Sequence, residues 1–133
     1  MTAYLLDTNH ASTLVTPGHA LILRMQRHQS LGDTFSICVP VLAEVLFGIG
    51  IAPRAEQNVA LWASWEHSLA CHVPDATDAK RAAELQIRLR RQGRQLATID
   101  ALIAITALRY DLVLLSTDND FQAVPDLRRE TWR

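Results

Sequence analysis

Apolar positions along this chain fall into two kinds of run. Short, nearly continuous ones lie at 3–6 ("AYLL"), 35–39 ("FSICV"), 71–73 ("CHV") and 112–116 ("LVLLS"). Their length and composition suit strands buried on both faces. A short final strand is expected within 128–132. Between these runs the spacing turns helical, and it predicts helices over 9–15, 18–29, 40–49, 55–69, 76–92 and 99–109. In the 76–92 segment Ala82, Leu85 and Leu89 fall at i, i+3 and i+7, one apolar stripe. Gly93 is placed to end that helix, and Thr98 to cap the next. Strands alternating with helices imply a parallel sheet covered on both faces, an α/β chain in three layers. No repeat, low-complexity tract or Pro/Gly-rich linker interrupts 1–133, so one domain is expected.

Composition narrows the class. A chain of 133 residues buries roughly two-thirds of its unfolded surface, enough for a core without staples. Cys38 and Cys71 form no CxxC pair, and the five histidines show no zinc-ligand spacing. A reduced, intracellular protein is the simplest expectation. "MTAYLLDTN" has neither the basic start nor the apolar length of a signal peptide. "FSICVPVLAEVLFGIGIA" (35–52) is long enough to mimic a membrane span, but Pro40 and Glu44 interrupt it. A central carboxylate there costs about 2.5–3.5 kcal/mol on insertion scales. A buried strand followed by a helix with Pro in its first turn fits better, and the chain is read as soluble.

Four acids interrupt this apolar pattern. Asp7 follows "YLL" and Asp118 follows "VLLST", both at expected strand ends, where open α/β sheets collect their ligands. Glu44 in "PVLAEVLFG" and Asp100 in "LATIDALIAITAL" are lone charges within the first turns of expected helices. Each taken alone has a bland reading. Asp118 suits a turn, and Glu44 and Asp100 suit the positive end of a helix dipole. Taken together they have no basic partner nearby in the chain, and buried carboxylates must pair, protonate or bind metal. An oxygen-only donor set suits Mg²⁺ or Mn²⁺, whose waters are the reagents for in-line attack on a phosphodiester. A calcium loop over "DNDFQAVPDLRR" is excluded, since its sixth residue is Ala123 and its twelfth Arg129.

The strings "YLLDTNHAS", "DALIAITA" and "LLSTDNDF", with Glu44 after the second strand, resemble the PIN domain and, more narrowly, VapC toxins of bacterial toxin–antitoxin pairs. The likeness runs from Tyr4 to Phe121. It implies a parallel five-stranded sheet of order 3-2-1-4-5 and a Mg²⁺- or Mn²⁺-dependent endoribonuclease acting in the bacterial cytoplasm. By position, Asp7, Glu44, Asp100 and Asp118 would form the acidic quartet, with Asp7 and Asp100 as direct metal ligands. Asp120 matches the family's extra acid, and Asn9 and Thr117 match its polar residues. His10 is read as a residue of the helix surface rather than a catalyst, with its closeness to Asp7 leaving it a minor candidate. The implied partners are RNA, a VapB-type antitoxin whose tail covers the acids, and a second copy of the chain.

Charge and aromatic content add weaker signals. The net charge is −1, but with the quartet offset, thirteen basic against ten remaining acidic residues leaves +3. Arg88, Arg90, Arg91 and Arg94 cluster in "RLRRQGR", as RNA-contacting residues or merely as a solvated helix face. Leu61, Trp62, Trp65 and Leu69 fall close together on the 55–69 helix, as an interface or as core. Two other functions compete. A phospho-receiver domain needs a lysine beyond a late strand, and the single lysine, Lys80, lies in a helix. A catalytically idle binding module on the same fold would not need the full acid set.

Overall fold

The computed structural model describes residues 1–132. Among them five strands form one parallel sheet of order β3-β2-β1-β4-β5. The strands are β1 (Ala3–Leu6), β2 (Thr34–Cys38), β3 (Leu69–His72), β4 (Val113–Leu115) and β5 (Arg129–Glu130). Central β1 sets Tyr4 beside Phe35 on one flank and Val113 on the other. Leu5, Leu6, Leu114 and Leu115 are completely buried, each contributing about 1.5–3 kcal/mol by leaving water.

The helices are α1 (Thr8–Ala11), α2 (Ala20–Ser30), α3 (Val39–Ile51), α4 (Ala55–Glu66), α5 (Ala76–Arg91) and α6 (Thr98–Arg109), packed on both faces of the sheet. This is the expected three-layer α/β architecture. Pro40 sits in the first turn of α3, where its missing N–H costs nothing. No helix of the described residues is long and apolar enough to cross a membrane. Residues 9–15 divide into α1 and a 3₁₀ turn (Ser12–Val15). The helix expected over 55–69 stops at Glu66, because Leu69 is already paired with Phe35 in the sheet.

Two devices place α6 correctly. An Asp75/Asp78 capping box opens α5, and Arg109 at the far end of α6 reaches Asp78 at 2.8 Å and Asp75 at 3.3 Å. At the other end α5 stops at Arg91, and Gly93 takes the left-handed conformation (φ 76°) that only glycine adopts cheaply. Gln86 Nε2 then donates to Leu96 O and to Thr98 Oγ1. The expected Thr98 cap is therefore corrected: Ala97 holds the cap position, and the Thr98 hydroxyl serves the α5–α6 loop instead. The result fixes Asp100 in the first turn of α6.

Candidate active site

The chain lays β2 and β3 on one side of β1, and β4 and β5 on the other. The direction of winding reverses between β1 and β4, and open α/β sheets bind their ligands beyond the carboxyl ends of the strands at such a point. Asp7 and Ser116 are the first residues past those ends. The Asp7 N–H still donates to Leu115 O, so the sheet itself sets the carboxylate's position.

Asp7 is 7% exposed. Its Oδ1 accepts from Thr8 N at 2.8 Å, which also caps α1. Its Oδ2 accepts from Ser116 Oγ at 2.7 Å and from Asn9 Nδ2 at 3.2 Å. Burial pushes the Asp7 carboxyl above the usual range, and the charges of Glu44 and Asp118 push the same way. The hydrogen bonds from Ser116 and Thr8 oppose them.

Glu44 lies in the second turn of α3, exposed, with Oε2 accepting from Thr8 Oγ1 at 2.7 Å. Asp118 caps a 3₁₀ turn (Asn119–Ala123), its Oδ1 accepting from Asp120 N at 2.9 Å. The turn role expected of an Asp in "STDND" is therefore real, but it does not exhaust the residue. The Asp118 charge acts on both Asp7 and Asp100. Asp100 is pushed up to about 6, first by burial, then by Asp7, Asp118, Asp120 and Glu44. The five acids are thus electrostatic neighbours, although they come from four separate stretches of chain.

Among the described residues, no group of three or more carboxylates, imidazoles or thiols is already arranged as a ligand set. The donor chemistry nevertheless fits a hard divalent cation, since the site is all oxygen and its carboxylates are disfavoured as anions by burial and by one another.

A PIN domain model matches residues 4–127. The chain belongs to the PIN domain family. It is 25% identical over 133 residues to the tRNA(fMet)-specific endonuclease VapC of Shigella flexneri, covering 99% of each chain. A chain of VapBC2 from Rickettsia felis, solved with a DNA fragment from its promoter, superposes with a TM-score of 0.86 at 23% identity. That match covers 99% of this chain and 100% of that one. A chain of the DNA-bound VapBC of Salmonella typhimurium gives 0.84 at 23% identity, covering 100% of both. Within the PIN family its likeness is therefore to VapC toxins of VapBC systems.

Other residues sort differently from expectation on this PIN fold. Thr117 is exposed and meets the site only through its backbone N–H, given to Asn9 Oδ1 at 3.2 Å. The hydroxyl that reaches Asp7 is that of Ser116, which also accepts from Asp118 N and Asn9 Nδ2. Ser116 is inconspicuous in the sequence, because a small residue ending an apolar strand carries no signal of its own. His10, expected on a helix surface, is completely buried. The short α1 turns it inward, where its Nδ1 lies 2.6 Å from Asn9 Oδ1.

Arg88, Arg90, Arg91 and Arg94 are all exposed. Arg90 and Arg94 border a cavity of about 380 Å³ that also touches Asp120, whereas Arg88 lines a different one. Trp62 is 2% exposed, with Nε1 donating to Glu66 Oε1 at 2.9 Å. Its reading as an interface residue is corrected to core, because α4 turns this one residue fully inward. Trp65 is half-buried against that core.

Proposed function

We propose that this chain is a divalent-metal-dependent endoribonuclease, the toxin of a VapBC-type toxin–antitoxin pair, acting in the cytoplasm. The observation that carries the reading is the Asp100 carboxyl, held near 6 by burial and four other acids at the sheet's switch point. A fold that merely needed a helix-end acid has no reason to gather five.

Asp7 and Asp100 would hold Mg²⁺ or Mn²⁺ directly, with Glu44 and Asp118 completing the site and Asp120 at its edge. Such a cation supplies Lewis acidity, which makes water nucleophilic at neutral pH and stabilises the leaving oxygen of a phosphodiester. The chain's own groups orient and position. Ser116 and Asn9 hold Asp7 in one rotamer through its Oδ2. Thr8 links Asp7 to Glu44, through its backbone N–H on one side and its hydroxyl on the other. Arg90 on α5 and Arg94 in the loop that follows it supply guanidinium forks for RNA phosphates beside Asp120, with Arg88 and Arg91 also on α5.

The antitoxin has a landing place next to the acids. A mostly apolar groove of about 270 Å³, lined by Val15, Val45 and Ile49, opens beside Glu44 and Thr8. On the same helix Phe47 and Ile51 are 68% and 71% exposed. Apolar surface of this kind suits burial by an antitoxin tail or by a second copy of the chain.

The test is to incubate purified protein with total bacterial RNA in Mn²⁺ or in EDTA and to sequence the new ends. Discrete metal-dependent ends are expected, and the Shigella relative's name makes initiator tRNA the first substrate to inspect. Intact RNA under both conditions would overturn the reading.

A further inference from the structure

The last described residues of the chain are wired into the acid site by contacts that the quartet does not explain. Trp132 is 7% exposed, and its ring lies among Tyr4, His28 and Phe35 with centroids 4.9, 4.4 and 5.8 Å away. The Arg24 guanidinium stacks on it from 4.1 Å. So anchored, Trp132 presents its backbone N–H to His10 Nε2 at 3.0 Å. Both partners are buried, and nothing local in sequence joins them, since they lie 122 positions apart.

That one bond settles the imidazole. A nitrogen that accepts from a backbone N–H carries no proton, so the ring proton sits on Nδ1. Nδ1 then donates to Asn9 Oδ1 at 2.6 Å. Thr117 N donates to the same oxygen. With its carbonyl fixed by two donors, the Asn9 amide nitrogen can only face the other way. There it meets Asp7 Oδ2 at 3.2 Å and Ser116 Oγ at 3.3 Å.

The same terminal segment holds the opposite wall of the site. Thr131 Oγ1 donates to Ser116 O at 2.7 Å, and Arg129 Nη1 donates to Ser116 O and Asp118 O, each at 3.2 Å. Ser116 N returns a bond to Glu130 O. One strap thus fixes Asp7 through His10 and Asn9, and the Asp118 turn through its carbonyls.

We infer that the strap over 129–132 is a positioning element for the active site, and that His10 and the Trp132 N–H act as positioning residues through Asn9 on Asp7. The inference rests on the endoribonuclease reading for its catalytic consequence only. The relay itself is a statement about hydrogen bonds and metal affinity. Groups that orient a metal-binding side chain in this way are worth about 10–100-fold in affinity or activity.

The experiment uses the full chain. Nitrogen-15 histidine spectra of the wild type at neutral pH should show His10 protonated at Nδ1 and bare at Nε2. Mn²⁺ affinity, by calorimetry, should fall about 10–100-fold in His10→Phe and recover partly in His10→Gln, which keeps a donor and an acceptor. RNA cleavage should lose kcat by a similar factor with KM unchanged. Trp132→Ala and Trp132→Pro both lose the ring, but only the second loses the N–H, so the proline variant should fall below the alanine one in Mn²⁺ affinity. An Nε2-protonated or doubly protonated His10 would overturn the relay, as would wild-type Mn²⁺ affinity in His10→Phe. If the His10 and Trp132 variants do not fold, the spectrum of the wild type still decides. If the wild type cuts no RNA, the ribonuclease reading fails, while the spectra and calorimetry continue to judge the relay.

Discussion

Replacing Asp100 with Asn should stabilise the metal-free protein, and the size of the effect follows from the site. In the fold the Asp100 carboxyl stands at about 6 against an ordinary 3.8. At about 1.4 kcal/mol per pH unit, that difference bounds the cost of ionising it in the fold at roughly 3 kcal/mol. Asp100 is only half-buried, and solvent screening reduces the figure to about 1–2 kcal/mol. The sign follows from linkage. An acid whose folded pKa lies above its unfolded value opposes folding when ionised. The penalty is complete above about pH 6, fades as pH falls towards 4, and is absent below. Asp100→Asn never ionises, so it escapes the penalty at every pH. For a chain of this size about 1–2 kcal/mol corresponds to roughly 4–8 °C in Tm. Thermal melts in EDTA should therefore show the variant above wild type by that margin at pH 7.5, with the two curves converging near pH 4. Mn²⁺ should raise the wild type by ligand linkage and the variant much less. A variant that melts at or below wild type at pH 7.5 in EDTA, with no pH dependence in the gap, would contradict an Asp100 carboxylate disfavoured in the fold by burial and by its acidic neighbours.

Three further outcomes are expected. Ser116→Ala strands the Asp118 N–H and removes a donor to Asp7, costing about 1–3 kcal/mol in urea melts; it should also slow RNA cleavage far more than Thr117→Ala does, and equal rates for the two would contradict the assignment. Trp62→Ala should cost about 3–5 kcal/mol of stability, as a core truncation does, with little specific effect on association measured by light scattering. Arg90→Ala and Arg94→Ala should raise KM for RNA and flatten its salt dependence without moving Tm, and an unchanged KM would remove these arginines from the RNA path.

The frame of the fold is readable along the chain because parallel strands buried on both faces need continuous apolar runs, and "YLL", "FSIC" and "VLL" supply them. Once those strands are placed, Asp7 and Asp118 stand at strand ends by counting alone. Glu44 and Asp100 are visible because a charge inside an apolar stretch requires a reason. What stays hidden depends on tertiary contact. Ser116 matters through a buried hydroxyl that any small residue in that slot would conceal. The His10–Trp132 bond joins opposite ends of the chain, which no local pattern encodes. Trp62 and Trp65 looked alike in sequence, and only the packing of α4 distinguishes the buried ring from the half-buried one. The apolar spacing of Leu69 continues that of α4, and only its pairing with Phe35 assigns it to the sheet.

On the proposed reading the gathered carboxylates, Asp7 foremost, perform metal-dependent cleavage of RNA. Single-turnover cleavage of a tRNA pool in Mn²⁺, comparing wild type with Asp7→Asn, tests it most directly. The substitution keeps the shape of the side chain and an oxygen for Ser116, and removes the charge. The variant should fold and cleave slower by orders of magnitude, and EDTA should silence the wild type. Wild-type cleavage by Asp7→Asn, or cleavage indifferent to metal, would contradict it.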